Sequence, residues 1–338
     1  MSQAKGRADA GDAAELHRRV CQAVGAESVR KVQPVQSLWS GYGQILRMEL
    51  SGGSAPASVI VKHIAPPVSG GANPRGWSGP AAHQRKLRSY QVESHWYRDV
   101  SSRCASGCRV PKCFAVEADG EDRVLVLEDL DAAGFPLRMS RLDDSRRDAC
   151  LRWLADFHGT FFQTDPAGLW PVGTYWHLQT RDAEWHAMAD GPLKQAAAAI
   201  DRRLSACRFQ TLVHGDAKVA NFCFPVSGRH VAAVDFQYVG GGCGIKDVAY
   251  FLGSCLSDRE CQQQEAACLD VYFQRLREVL AGAGVDSDLV DAVESEWRAL
   301  YPWAWADFHR FLCGWCDTHP KLTGYSRRQV DHVLQQLA

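Results

Sequence analysis

The sequence predicts an α+β fold of two lobes, a β-rich N-lobe with one long helix and a larger, mainly helical C-lobe. Three observations predict it. Apolar runs of strand length recur early, at residues 32–38, 45–50 and Ser58–Ile64, bounded by turn residues. One helical pattern follows over residues 81–100, with Leu87, Tyr90, Trp96 and Tyr97 as its apolar positions. Beyond a compact strand run at 124–127, helical spacing dominates, broken only by short strand runs at Thr211–Val213, 222–224 and 231–234. Such segregation implies two lobes with a cleft between them, a preferred place for a ligand.

Composition narrows the function classes. The chain has 338 residues, 46% of them hydrophobic, enough to bury a sizeable core. Its 38 Lys+Arg against 39 Asp+Glu leave a formal charge of −1, which argues against a polyanion such as nucleic acid as the main partner. The polar start lacks the apolar region of a secretory signal, and no stretch approaches the roughly 18 apolar residues of a membrane span. The chain therefore reads as soluble and cytoplasmic, with no membrane partner. Its thirteen cysteines then read as reduced thiols rather than a disulfide framework.

In chain order, residues 1–12 read as a disordered N-terminus, residues 13–129 as the N-lobe and residues 130–338 as the C-lobe. A short helix is expected over 13–24. Trp39-Ser40-Gly41-Tyr42-Gly43-Gln44 joins the first two strands. Residues 65–80, with Pro66, Pro67, Pro74 and Pro80, have loop chemistry. In the C-lobe, Ser145 is the expected cap of a helix running to Phe162, and helices are expected from Lys246 to the end.

The sharpest chemical signal is Val213-His214-Gly215-Asp216-Ala217-Lys218-Val219-Ala220-Asn221, followed fourteen residues after Asn221 by Asp235 in Val234-Asp235-Phe236-Gln237. Phosphoryl transfer requires an oriented hydroxyl, a neutralised phosphate and a bound metal. Two oxygen donors from separate strands suit Mg²⁺, which keeps water and phosphate among its ligands. An aspartate placed before the strand-borne ligands is then free to face the hydroxyl.

His-Gly-Asp-x-x-x-x-Asn with Asp-Phe-Gln resembles the aminoglycoside phosphotransferase and choline kinase superfamily, with its protein-kinase-like fold. Leu125-Val126-Leu127-Glu128-Asp129-Leu130, the glutamine after Asp235-Phe236, and Lys246-Asp247-Val248-Ala249-Tyr250-Phe251 bring it nearest to the ecdysteroid kinase-like group. The resemblance covers roughly residues 30–260 and is weak over the last 80. It implies an ATP- and Mg²⁺-dependent kinase of a hydroxyl group on a small molecule. Asp216 would be the catalytic aspartate, with Asn221 and Asp235 on Mg²⁺ and Asp247 bracing the catalytic loop. Lys218 either stabilises the transferred charge or is a surface lysine.

Lys62 lies in an apolar strand, where an unpaired ammonium is costly. It is expected on the ATP phosphates, paired with Glu93, the only acid of its helix before Asp99. The alternative is an edge lysine in water. Ser40, Gly41, Tyr42 and Gly43 would fold over the phosphates, although Gly-x-Gly also occurs as a plain hairpin turn. Glu128, Asp129 and Leu130 would form the adenine hinge.

Two further constellations compete. His309, Cys313, Cys316 and His319 have zinc-ligand types, but residues 303–316 also read as one helix. Trp297, Tyr301, Trp303, Trp305, Phe308, Phe311 and Trp315 are either core or in part a cage for a quaternary ammonium. Rival functions are an antibiotic kinase for aminoglycosides or macrolides, and a non-catalytic nucleotide-binding module. A protein kinase is disfavoured, because no Ala-Pro-Glu and no activation segment separates Asp235 from Asp247.

Overall fold

The computed structural model describes residues 2–38, 41–66 and 79–338. The chain divides into two compact units. The first comprises residues 1–102 and 111–136, and the second residues 103–110 and 137–338.

The first unit is built on an antiparallel five-stranded sheet. Its elements are helix α1 (Ser2–Val24), strands β1 (Ser28–Ser37), β2 (Gly43–Ser51) and β3 (Ser58–Ile64), helix α2 (Pro80–His95), and strands β4 (Cys113–Asp119) and β5 (Asp122–Glu128). The strand order is β1-β2-β3-β5-β4. Helix α1 begins well before residue 13, through the segment read above as disordered. This stretch is rich in alanine, which favours helix. Its later turns are anchored by Leu16 and Val20 against Leu46, Met48, Leu50, Val59, Val61, Val124 and Val126.

Side chains alternate across a strand. With Val59 and Val61 turned toward α1, Lys62 projects from the opposite face, where α2 lies. Helix α2 gives way to a π-helical turn at Trp96–Val100, so the predicted helix over 81–100 is two pieces. Strand β4 escaped sequence reading because Cys-Phe-Ala-Val-Glu-Ala-Asp has weak alternation. It is held by pairing to β5, with a register shift between Cys113 and Ala115.

The second unit contains α3 (Asp144–Thr160), α4 (Asp182–Ala187), α5 (Pro192–Ser205), β6 (Thr211–Val213), β7 (Phe222–Cys223), β8 (Ala232–Ala233), β9 (Gly240–Gly242), α6 (Ile245–Cys255), α7 (Asp258–Gly282), α8 (Ser287–Trp315) and α9 (Gly324–Leu337). Asp143, not Ser145, caps α3: its Oδ1 accepts the Arg146 N–H at 2.8 Å. Residues 103–110 join this unit because the Arg109 carbonyl accepts from Trp153 Nε1 and from the Ala233 N–H, each at 3.0 Å. The sequence boundary at 129/130 thus moves to 136/137. Residues 130–136 stay with the sheet through Asp131, bonded to Arg47 of β2.

Two small antiparallel ladders, β6–β9 and β7–β8, carry the chemistry-bearing loops. Strand β9 is Gly-Gly-Gly and has no side chain to signal it. Glycine is required there by close approach, since a Cβ on Gly240 would lie 2.3 Å from the Trp170 carbonyl oxygen. Among the described residues no helix is long and apolar enough to cross a membrane.

Candidate active site

In the second unit, β6 ends at Val213 and delivers His214-Gly215-Asp216 into a tight turn. Gly215 has φ +80°, and a Cβ there would sit 2.1 Å from the Tyr238 carbonyl oxygen and 2.7 Å from the Thr174 nitrogen. Only glycine fits this turn. Asp247, near the start of α6, fixes it from below: Oδ2 accepts the His214 N–H at 2.5 Å and Oδ1 the Gly215 N–H at 3.0 Å. His158 Nε2 lies 3.2 Å from the same Asp247 carboxylate, and its Nδ1 is 2.8 Å from the Tyr272 hydroxyl. Asp247 is therefore a positioning residue, buried among groups that hold the loop.

Asp216 is held from three sides. Oδ2 accepts from Lys218 Nζ at 2.8 Å and from Asn221 Nδ2 at 3.1 Å, while Oδ1 accepts from the Tyr250 hydroxyl at 3.0 Å. A carboxylate oxygen has two acceptor sites. Oδ2 is filled, and Oδ1 keeps one. Burial pushes the Asp216 carboxyl above its ordinary range; Lys218 pulls it down and the nearby Asp235 charge pushes it up. Burial opposes the Lys218 charge, but Asp216 and Asp235 outweigh it and hold the ammonium above its usual range. Lys218 is thus an ion-pair partner of Asp216, with its side chain 39% exposed.

Asn221 precedes β7 and Asp235 follows β8, so the β7–β8 ladder sets their separation. The Val234 N–H donates to the Asn221 carbonyl at 2.9 Å, and His214 Nε2 meets the Val234 carbonyl at 3.1 Å. Asp235 has φ +70°, a left-handed conformation that costs a non-glycine residue roughly 1–2 kcal/mol. Burial of Phe236 against His214, at 4.5 Å between ring centroids, secures it.

In the first unit, Lys62 Nζ and Glu93 Oε2 lie 2.6 Å apart, both buried. The Lys62 ammonium also sits 5.6 Å from the centre of the Tyr90 ring. Gly41 and Gly43 both have positive φ, and a Cβ on Gly43 would strike the His63 carbonyl at 2.1 Å. Tyr42 turns inward, its hydroxyl on His83 Nδ1. Ser40 lies outside the described residues. Asp129 accepts from Arg47 Nε and from Ser58 Oγ, each at 2.7 Å. Its side chain locks the end of β5, beside the Glu128 carboxylate, which accepts the Lys112 N–H at 2.9 Å, and the buried Leu130.

Among the described residues no group of three His, Cys, Asp or Glu side chains could hold a metal. His309 Nδ1 is bonded to Ser326 Oγ at 2.9 Å, and His319 Nδ1 accepts the Lys321 N–H at 3.2 Å. Trp297, Tyr301 and Trp305 are buried. Phe308 and Phe311 join Trp176, Tyr250 and Leu312 in one core cluster.

The phosphotransferase enzyme family (APH) matches residues 58–287 of this chain. The chain belongs to that family. It is a transferase of the kinase type, with an α+β kinase-like fold. Choline kinase from Cryptosporidium parvum is similar in structure, with a TM-score of 0.52 at 10% identity, over 91% of this chain and 88% of that one. An aminoglycoside phosphotransferase from Streptomyces rimosus, solved with ADP and streptomycin, gives 0.45 at 13% identity over 80% and 92%. Plasmodium vivax ethanolamine kinase gives 0.47 at 11% identity over 91% and 84%. Comparison with curated protein sequences gave no match. The narrower likeness to the ecdysteroid kinase-like group rests on the motifs alone.

Sequence reasoning missed two site residues. Tyr250 stands inside a quoted motif, yet nothing in its spacing shows that its hydroxyl reaches Asp216. Thr174, buried with φ +93°, backs the Gly215 turn and left no sequence signal. Gly215→Ala is expected to lower the melting temperature, by more than about 1 kcal/mol of stability, and to abolish turnover by displacing Asp216. Calorimetric melting with an activity assay checks this.

Proposed function

We propose that the protein transfers the γ-phosphate of ATP to a hydroxyl group of a small molecule. The observation that carries this reading is Asp216, a buried carboxylate with Oδ2 filled by Lys218 and Asn221 and one acceptor site open on Oδ1. A substrate hydroxyl bonded to that site is oriented for attack and has a base for its proton. In the step, the acceptor oxygen bonds to the γ-phosphorus, the bond to the bridging oxygen breaks to release ADP, and the hydroxyl proton passes to Oδ1. Lys218 stays charged throughout and offsets negative charge beside the carboxylate.

Asn221 and Asp235 would hold Mg²⁺. Their donors fit: both offer hard oxygen, and the Asp235 charge bears on the buried carboxylate of Asp216, with which a divalent cation is compatible. Bound Mg²⁺ would offset phosphate charge. Lys62, positioned by Glu93, would bind nucleotide phosphates, with Gly41, Tyr42 and Gly43 in the covering turn and residues 128–130 in the adenine hinge. A purely nucleotide-binding module would account for the Lys62–Glu93 pair, but gives no account of the acceptor site left on Asp216 Oδ1.

The test is ADP release with Mg²⁺, ATP and a panel of alcohols, with phosphorylated product read by mass spectrometry. ATP consumption that needs no alcohol, or that survives loss of Asp216, would sink the reading. A second experiment addresses the nucleotide. Lys62→Met and Glu93→Gln are each expected to weaken ATP use at least tenfold. In a double-mutant cycle the two losses should couple by about 1 kcal/mol or more. Strict additivity would separate the two residues.

A further inference from the structure

Lys321 lies between α8 and α9, in the part of the chain where family motifs give out. Its half-buried ammonium makes no hydrogen bond or ion pair among the described residues. It rests instead on ring faces, 4.9 Å from the centre of Tyr250 and 5.7 Å from that of Phe308. The other buried or half-buried cations of this region are paired: Lys246 and Arg310 with Asp307, at 3.5 and 2.9 Å, and Lys218 with Asp216, at 2.8 Å. Tyr250 is also the residue whose hydroxyl donates to Asp216 Oδ1, the oxygen with the open site. The unpaired ammonium and the catalytic carboxylate thus meet at one tyrosine. Around them Tyr175, Trp315 and Leu322 are only partly buried and leave an apolar border.

We propose that Lys321 determines acceptor specificity and that the phosphorylated alcohol carries a carboxylate or similar anionic oxygen group on an apolar body. The inference rests on Asp216 being the group that faces the acceptor. A partly desolvated ammonium gains most from a charge-assisted bond to an anion, and a ring face is a weaker substitute. Burial pushes the Lys321 amine down to about 8, against the attraction of Asp216 and with the repulsion of Lys218, so it is charged at neutral pH. The same ammonium occupies the ring faces that a cationic acceptor would need, and repels it. An aminoglycoside or a quaternary ammonium alcohol is therefore disfavoured.

Benzoate and benzylammonium are the probes, titrated into the full chain at pH 7 by calorimetry. Benzoate is expected to bind at least tenfold more tightly. Lys321→Met should weaken benzoate about tenfold and leave benzylammonium unchanged or tighter, and Lys321→Arg should stay within threefold of wild type. Should the Met variant not fold, reductive methylation of the wild-type protein decides, with benzoate expected to protect the Lys321 amine in peptide mass spectra. Tighter benzylammonium binding, no benzoate binding at millimolar concentration, indifference to Lys321→Met, or absence of protection overturns the proposal. The kinase reading fails separately. Benzoate binding through Lys321 without ATP consumption on any alcohol would overturn that reading alone. Asp216-dependent phosphorylation of amino alcohols in preference to hydroxy acids would overturn the Lys321 proposal alone.

Discussion

Asp216→Asn is expected to leave nucleotide affinity within a few-fold of wild type and to reduce kcat by roughly 10²-fold or more, the scale of losing a positioned base. Asparagine keeps the size of the side chain and can still accept from Lys218 or Tyr250, so the loop geometry should survive. What it loses is basicity and charge at the oxygen that would take the hydroxyl proton. The pH profile gives a second readout. A general base acts deprotonated, and burial with the Asp235 charge raises the Asp216 carboxyl. The acid limb of kcat should therefore lie above the ordinary carboxylate range near 4, with activity lost as pH falls through it. Calorimetry for ATP and product mass spectrometry across pH check both parts. Wild-type turnover by the mutant, or an acid limb unchanged in it, would remove Asp216 from the mechanism.

Much of the candidate site's arrangement was legible in the residue types and spacing of its motifs. Asp216 and Asp235 follow, and Asn221 precedes, short apolar strand runs, and those runs fold as β6, β8 and β7. Lys62 was legible as a charge in an apolar strand, and Glu93 as the one acid available on the helix. What escaped was set by tertiary contact. Strand β9 consists of glycines whose place is decided by a neighbouring carbonyl. Strand β4 is held in register by β5 and not by its own alternation. The N-cap of α3 moved from Ser145 to Asp143, a competition between two good capping residues that sequence alone does not decide. Tyr250 and Lys321 are 71 positions apart in sequence, and only the fold lays one over the other. The aromatics of α8 were read as core or in part as a cage; Phe308 and Phe311 lie in a core cluster, and the Lys321 ammonium is 5.7 Å from the Phe308 ring centre.

Asp235→Asn should reduce turnover to below roughly one-hundredth of wild type at saturating ATP and Mg²⁺, since a metal's charge stabilisation in such a step is worth several kcal/mol. Asparagine is the informative replacement because Asp235 sits at φ +70°. Asparagine tolerates that left-handed conformation, whereas alanine would add backbone strain to the loss of the ligand. The melting temperature of Asp235→Asn should thus stay within a few degrees of wild type, and that of Asp235→Ala should fall further. Removing the charge has one more consequence. Asp235 raises the Asp216 carboxyl by like-charge repulsion, so in Asp235→Asn that carboxyl relaxes downward. The acid limb of the residual activity should then move to lower pH, opposite to the effect of simply weakening the base. Measuring residual turnover against pH and against Mg²⁺ and Mn²⁺ concentration separates the two contributions. Near-normal turnover at saturating metal would show that Asp235 is not a principal ligand, and an acid limb that did not move would show that the two carboxylates do not share one field.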